Sequence, residues 1–342
     1  MSTEHWYQRQ ISRLLETTAR EYGYAGQTGD AFADWQSTMR AQLAERLGFP
    51  EIRADDSSSL EPTQLERVQM DGYERQLWHI QTEADFFVPF YLLLPTDGSP
   101  PFSTVLTVHG HSTAGKELTV GAINDRRAEI ADERRDIARQ AVKRGYAAVA
   151  PDMRAFGALT GPARDTDAGR ACTGLQKTTQ LFGRTLAGDR CWDLLRLVDW
   201  IDDQSVLDSD AIAITGHSGG AAVAMFGAAL DDRLSPVVLN AYFCTFEDSI
   251  VAIDHCPCNY VPGVLRLGEM WDIAGAIAPR PLTIVTGDED RIFPVSGTRR
   301  AFERIQTLYQ NVGAEQACVL RVGSGGHRFY PKKVWPEIAL FL

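Results

Sequence analysis

One pentapeptide in the sequence is built for nucleophilic chemistry, Gly216-His217-Ser218-Gly219-Gly220. A serine hydroxyl attacks an acyl carbon only when an adjacent base takes its proton. It must also stand clear of its own backbone. The flanks suit that task. Ala211-Ile-Ala-Ile-Thr215 reads as a buried strand, and Ala221-Ala-Val-Ala-Met-Phe-Gly-Ala-Ala-Leu230 as a tightly packed helix. Strand, Gly-x-Ser-x-Gly and helix in succession form a nucleophile elbow. The turn brings the two backbones so close that side chains at 216 and 220 would clash. Glycine removes the clash and tolerates unusual φ/ψ. The helix start then offers unpaired N–H groups to a developing anion. Taken alone the pentapeptide is a weak signal, because a Gly-rich turn with a surface serine would read the same.

The rest of the chain must supply partners in the order acid, then histidine. Only His255 and His327 follow Ser218. His327 ends Gly323-Ser-Gly-Gly-His327, directly after the last predicted strand, on a loop flexible enough to bring an imidazole over the elbow. His255 lies in an irregular segment before any terminal strand. His327 is therefore the expected base. The acid should sit in Gly287-Asp288-Glu289-Asp290-Arg291-Ile292-Phe293-Pro294, which follows a predicted strand at 282–286. Asp290 is the first choice, Asp288 the runner-up, and Asp248 and Asp254 distant thirds. That carboxylate would hold the imidazole tautomer and stabilise imidazolium. Val108-His109-Gly110-His111-Ser112 follows another buried strand, where an oxyanion loop belongs. The backbone N–H groups of His111 and Gly219 are expected to converge on the carbonyl oxygen.

Metal chemistry is the competing reading of the same residues. His109 and His111 lack nearby third and fourth ligands in the sequence. Cys256-Pro257-Cys258 beside His255 has Cys-x-Cys spacing rather than Cys-x₂-Cys, with no second ligand pair evident. Buried thiols lining a loop are the simpler expectation, and no metal is expected. Neither Gly-x-Gly-x-x-Gly nor a P-loop occurs, so no nucleotide or other organic cofactor is indicated.

Buried strands are expected at 104–108, 146–150, 211–215, 236–240, 282–286 and 317–322. Helices are expected at 125–144, 189–201, 221–230, 297–311 and near Val334. Residues 77–80 and 86–94 suggest an antiparallel pair at a sheet edge, which suits Pro89. This alternation gives a mostly parallel sheet with helices on both faces, and the site at the C-terminal strand ends. Residues 1–60 look like a helical extension, followed by a catalytic domain over 61–342. In the extension Asp30 is expected to cap a helix carrying Phe32, Trp35, Met39, Leu43 and Leu47, stopped by Gly48 and Pro50. Trp6, Ile11, Leu14 and Leu15 lie on an earlier stripe, to pack on the main body or on a second copy in a homo-oligomer. The glycine-rich stretch 152–188 shows no clear period and is expected to form a rim or lid. Within it Arg154 would bind a substrate carboxylate or pair with Asp152 or another acid. The loop 243–266 is expected to form another wall.

The chain has 342 residues and a net charge of −11, from 45 acids against 34 bases. That balance argues against nucleic acid and anionic membrane surfaces as partners. There is no apolar run near ~18 residues and no apolar signal core at the N-terminus, so a cytoplasmic location is expected. Six cysteines in so long a chain do not make a disulfide scaffold.

The motifs together resemble bacterial α/β-hydrolases of the acetyl xylan esterase and dienelactone-hydrolase-like group. The resemblance rests on His109-Gly-His111, Asp152-Met-Arg-Ala-Phe-Gly157, the elbow, Cys256-Pro-Cys-Asn-Tyr-Val-Pro-Gly263, Ala278-Pro-Arg-Pro281, Gly287-Asp-Glu-Asp290 and Gly325-Gly-His327. It implies an α/β-hydrolase fold with Ser218 as nucleophile, Asp290 as acid and His327 as base. It also implies action on small acyl esters such as acetylated carbohydrates. Dienelactone hydrolases proper use a cysteine nucleophile, which this elbow lacks. The better-known carbohydrate acetyl esterases commonly carry an aromatic where this chain has His111, and they differ after Asp152, so the substrate stays open. Two rivals share the fold: a peptidase or amidase, and a non-catalytic binding scaffold. The chain is too short for a gating propeller domain, and no triad member is missing.

Overall fold

The computed structural model describes residues 5–54, 59–122, 134–160 and 168–342. Nine strands form a single sheet in the order β1-β2-β3-β5-β4-β6-β7-β8-β9. They are β1 Thr63–Met70, β2 Tyr73–Glu83, β3 Phe86–Pro95, β4 Phe102–Val108, β5 Ala147–Pro151, β6 Leu207–His217, β7 Leu234–Asn240, β8 Leu282–Gly287 and β9 Cys318–Gly323. From β5 to β9 every neighbouring pair is parallel, whereas β1, β2 and β3 are antiparallel. The six predicted buried strands all form. Central strands β5 and β8 are buried along their whole length, as a sheet covered on both faces requires.

The antiparallel pair is present, but not at the edge. β1 covers the outer side of β2, and β3 lies inside against β5. Pro89 is tolerated there because the ladder to β5 starts only at Phe90, opposite Pro151. The Pro89 carbonyl accepts the Asp152 N–H at 3.0 Å.

Helices occupy Leu186–Asp202, Gly219–Leu230, Val295–Asn311 and Pro331–Ile338. Of the helix expected at 125–144, Ile137–Val142 is helical and residues 123–133 lie outside the described residues. The stretch 152–188 contains a 13-residue helix, Ala168–Gln180, where no period was evident. Residues 161–167 lie outside the description.

The N-terminal helix Asp30–Leu47 buries all five predicted residues, and they join the same hydrophobic core as the sheet-facing side of Gly219–Leu230. Asp30 does not cap it. Gly29 stands at the N-cap, and Asp30 is inside the first turn, where its charge complements the helix dipole. Gly48 closes the helix with φ 88°, a left-handed conformation that glycine adopts freely. Pro50 does not act as a stop. It lies in the first turn of the next helix, Phe49–Ala54. The helix Trp6–Thr17 buries no residue, and Trp6 and Tyr7 stand exposed rather than packed on the body.

Buried ion pairs fix the segment after β5. Asp152 takes the Lys116 ammonium at 2.9 Å together with the backbone N–H groups of Lys116 and Ala158. Arg154 does not pair with Asp152. It is locked between Asp193 and Glu83, and Arg184 bridges Glu83 and Asp189 from the other side. Burial alone would raise the Glu83 carboxyl. The hydrogen bond from Arg184 and the charge of Arg154 outweigh it and hold that carboxyl below its ordinary value.

Candidate active site

Ser218 sits between β6 and the helix Gly219–Leu230 with φ 54° and ψ −123°. This is a region non-glycine residues rarely occupy, at a cost of about 1–3 kcal/mol. The strain is held by packing. A Cβ at Gly216 would stand 2.4 Å from the Gly220 backbone, and one at Gly220 would stand 2.2 Å from the Val108 carbonyl. Both glycines are therefore required for β6, the helix and the end of β4 to approach so closely. The Ser218 N–H donates to the Asn240 carbonyl at 2.9 Å, which ties the turn to β7. Gly219 opens the helix, so its N–H has no intrahelical partner.

Asp290 is the acid that meets the histidine. Its Oδ2 lies 2.8 Å from His327 Nδ1, and its Oδ1 accepts the N–H groups of Ile292 and Phe293 at 2.8 and 3.0 Å. The carboxylate is thus aimed by its own turn. Asp288 takes a different part, accepting the Gly325 N–H at 2.7 Å and so anchoring the loop that carries His327. Asp248 is engaged with Thr245 and Arg300. Asp254 and His255 line the same cavity as Ser218 and His327.

Ser218 and His327 face one cavity of about 270 Å³, with His111, Arg135, Tyr242 and Phe293 among its walls. Among the described residues no hydrogen bond joins the serine hydroxyl to the ring, a looseness common in unliganded sites. The imidazole is only partly buried, and it stacks on Phe293 at 5.8 Å between centroids.

Two residues that sequence reasoning passed over organise this arrangement. Asn240, the last residue of β7, donates through Nδ2 to the Arg328 carbonyl and to His217 Nδ1, each at 3.0 Å. Its Oδ1 accepts the Tyr330 N–H at 3.1 Å. One buried amide therefore straps the histidine loop to the elbow strand. Its only sequence signal is a polar residue closing an otherwise apolar strand. His217 lies beside the base, ring centroids 5.0 Å apart. With Asn240 donating to its Nδ1, the proton belongs on Nε2, a tautomer fixed by the network. Burial, and next the neighbouring His327, push the His217 imidazole well below its ordinary value. It stays neutral beside His327.

On the loop after β4, the buried His109 accepts the Met153 N–H through Nε2 at 3.0 Å and pairs with the Gly110 carbonyl through Nδ1. Burial pushes its imidazole down to about 4, so it remains neutral and locks the loop after β4 to the segment after β5. The His111 ring lies against Gly219, where an added Cβ would come within 2.6 Å of Nδ1. The expectation that His111 lacks further potential ligands is corrected by the fold. Its ligand atom and those of Cys172, Cys256 and Cys258 all lie within 4.8 Å of one another. No sequence window shows this, because three separate segments converge there.

No helix among the described residues is long and apolar enough to cross a membrane. A protein of Bacillus subtilis (strain 168) bearing the name "Putative hydrolase YtaP" is 28% identical over 318 residues, which cover 90% of this chain and 98% of that one. Among solved structures, a protein of Bacteroides fragilis described as a putative acetyl xylan esterase superposes with a TM-score of 0.78 at 21% identity, over 97% of this chain and 84% of the other. A glucuronoyl esterase from Solibacter usitatus superposes at 0.68 with 11% identity, over 94% and 95%. An acetyl xylan esterase from Paenibacillus sp. R4 superposes at 0.58 with 17% identity, over 97% and 99%. At such identities these structures establish the α/β-hydrolase fold. The family model of the Abhydrolase family matches residues 8–315, and the chain belongs to that family.

Proposed function

We propose that the protein is a serine carboxyl-ester hydrolase acting on small acyl esters, acetyl esters first among them. The observation that carries this reading is a strained Ser218 sharing one cavity with an imidazole whose Nδ1 is held by Asp290 at 2.8 Å. In the reaction His327 Nε2 takes the Ser218 proton as Oγ attacks the ester carbonyl. Asp290 stabilises the imidazolium without taking its proton. The tetrahedral oxyanion rests on the Gly219 and His111 amides, a pair whose individual donors are each worth about 2.7–4 kcal/mol of barrier. Collapse releases the alcohol with a proton from His327. Water, activated by the same imidazole, then hydrolyses the acyl-enzyme.

The volume near 270 Å³ sits at the small end of ligand pockets, which favours a short acyl chain. Among the names of the structural relatives, acetyl xylan esterase points the same way, and glucuronoyl esterase supports the ester class alone, since its acyl group is a sugar acid. Arg154 is assigned no substrate here, because Glu83 and Asp193 already hold its charge. The test is turnover of p-nitrophenyl acetate by the wild type and by Ser218→Ala, with a fluorophosphonate probe to label the serine. Equal turnover by both proteins removes the proposal. Matched ester and amide substrates separate it from a peptidase of the same fold.

A further inference from the structure

We propose that His111, Cys172, Cys256 and Cys258 together hold a tetrahedral zinc ion that staples the wall of the cavity facing Ser218. This is independent of the hydrolase reading. The four ligand atoms lie within 4.8 Å of one another. His111 Nε2 is 3.2 Å from Cys258 Sγ, and the Cys258 and Cys256 sulfurs are 3.5 Å apart. A tetrahedron with Zn–S bonds of about 2.3 Å has edges of roughly 3.8 Å, so a small contraction of the outer pairs closes the shell. Three sulfurs and one imidazole form a soft donor set that suits zinc and not the hard cations. All four positions are filled by protein, which makes the site a structural one rather than one open to substrate.

Charge supplies a second, separate argument. Arg190 is 3% exposed. Its Nε and Nη2 donate to the Arg154 carbonyl, Nη2 also reaches Cys172 Sγ at 3.4 Å, and its guanidinium covers the Phe156 ring. The buried carboxylates of Glu83, Asp189 and Asp193 are taken up by Arg154 and Arg184 instead. A buried guanidinium facing only neutral groups is costly. Three thiolates, a divalent cation and Arg190 together carry no net charge, so the metal resolves what thiols alone leave uncompensated. A disulfide between two of the cysteines would not do so.

The ligands come from the loop after β4, from the helix Ala168–Gln180 and from the 243–266 loop. Ligation would join these three segments without any help from the sheet. Holding Nε2 on the metal leaves the His111 proton on Nδ1, the atom packed against Gly219, and fixes the ring that carries the oxyanion loop.

The test is metal analysis of protein expressed in zinc-supplemented medium and freed of loose ions by gel filtration. The expected result is one zinc per chain, lost in Cys172→Ser and Cys258→Ser and kept in Cys318→Ser, whose thiol is buried in β9 away from the cluster. Because the first two variants can lose metal by misfolding, the wild type is also exchanged with cobalt. A thiolate-to-cobalt charge-transfer band with strong visible d–d bands is expected. Wild-type protein that neither retains zinc nor gives those bands overturns the proposal. So does a count of fewer than six free thiols on denaturing the metal-free protein, which would assign a disulfide to these cysteines.

Discussion

The two walls of the cavity are held by different means. On the serine side every working group stands at the end of a strand or one turn beyond it: Ser218 after β6, Asn240 closing β7, Asp290 after β8 and His327 after β9. The parallel ladder fixes the spacing of those strand ends, and hydrogen bonds among neighbouring loops then aim Asn240, Asp290 and His327. On the cysteine side only the loop after β4 starts from a strand. The helix Ala168–Gln180 and the 256–258 turn lie off the sheet, and buried charges and thiols hold them together. Strand ends are placed by a shared ladder, whereas off-sheet segments need cross-links of their own.

Four measurements would break or sharpen that contrast. The largest effect is expected at Ser218. Replacing it by alanine should lower kcat on p-nitrophenyl acetate roughly 10⁴- to 10⁶-fold, since triad members act as a unit. Thermal unfolding should shift little, because alanine keeps the Cβ and with it the same backbone strain at the turn. A large fall in Tm would mean that the serine side is not held by the ladder alone. Asp290→Asn should follow with a loss on the order of 10⁴ in kcat, because an amide presents the wrong partner to Nδ1. A loss below tenfold would point to another acid, with Asp288 the nearest.

Asn240→Ala comes third. It removes three hydrogen bonds that strap the histidine loop, leaving the Tyr330 N–H and the Arg328 carbonyl without this partner. A fall in kcat of about 10- to 100-fold is expected from a misplaced base, with a stability loss of about 1–3 kcal/mol. A kcat unchanged by the substitution would show that Asp288 alone suffices to hold the loop.

The smallest effect on turnover is expected at Glu83, on the other side of the contrast. Its folded-state carboxyl lies below the ordinary value of 4.5, so the unfolded chain binds more protons there. The stabilisation is complete above the unfolded value and is lost as pH falls through the folded one. Glu83→Gln should therefore flatten the acid-side decline of stability below about pH 4.5 and leave neutral-pH turnover close to wild type. The same acid slope in wild type and variant would show that the Arg154–Arg184 cluster does not lean on this carboxylate.

Much of the serine side was legible in the sequence because it consists of local patterns. The elbow needs glycine at 216 and 220 for contacts within a few residues, and the alternation of buried strands with helices orders Ser218, Asp290 and His327 along one sheet edge. Among Asp288, Glu289 and Asp290 the Gly-x-x-Asp-x-x-Phe-Pro spacing favoured Asp290, but the contacts that aim it come only with the fold. Asp290 faces His327 because Ile292 and Phe293 pin its other oxygen, while Asp288 turns to Gly325. Arg154 could be read either as a substrate ligand or as an ion-pair partner. Only the approach of β2 and the helix Leu186–Asp202, bringing Glu83 and Asp193, decided it.

The sequence by itself determined the fold class, the strained serine turn and the loops from which a base and an acid would come, since periodicity and backbone sterics act over short chain distances. The tertiary structure decided which carboxylate aims the histidine, that Asn240 ties its loop to the elbow, and that His111 meets three cysteines. Those contacts depend on side chains from segments far apart in the chain, and their geometry exists only after the sheet has set where each segment ends.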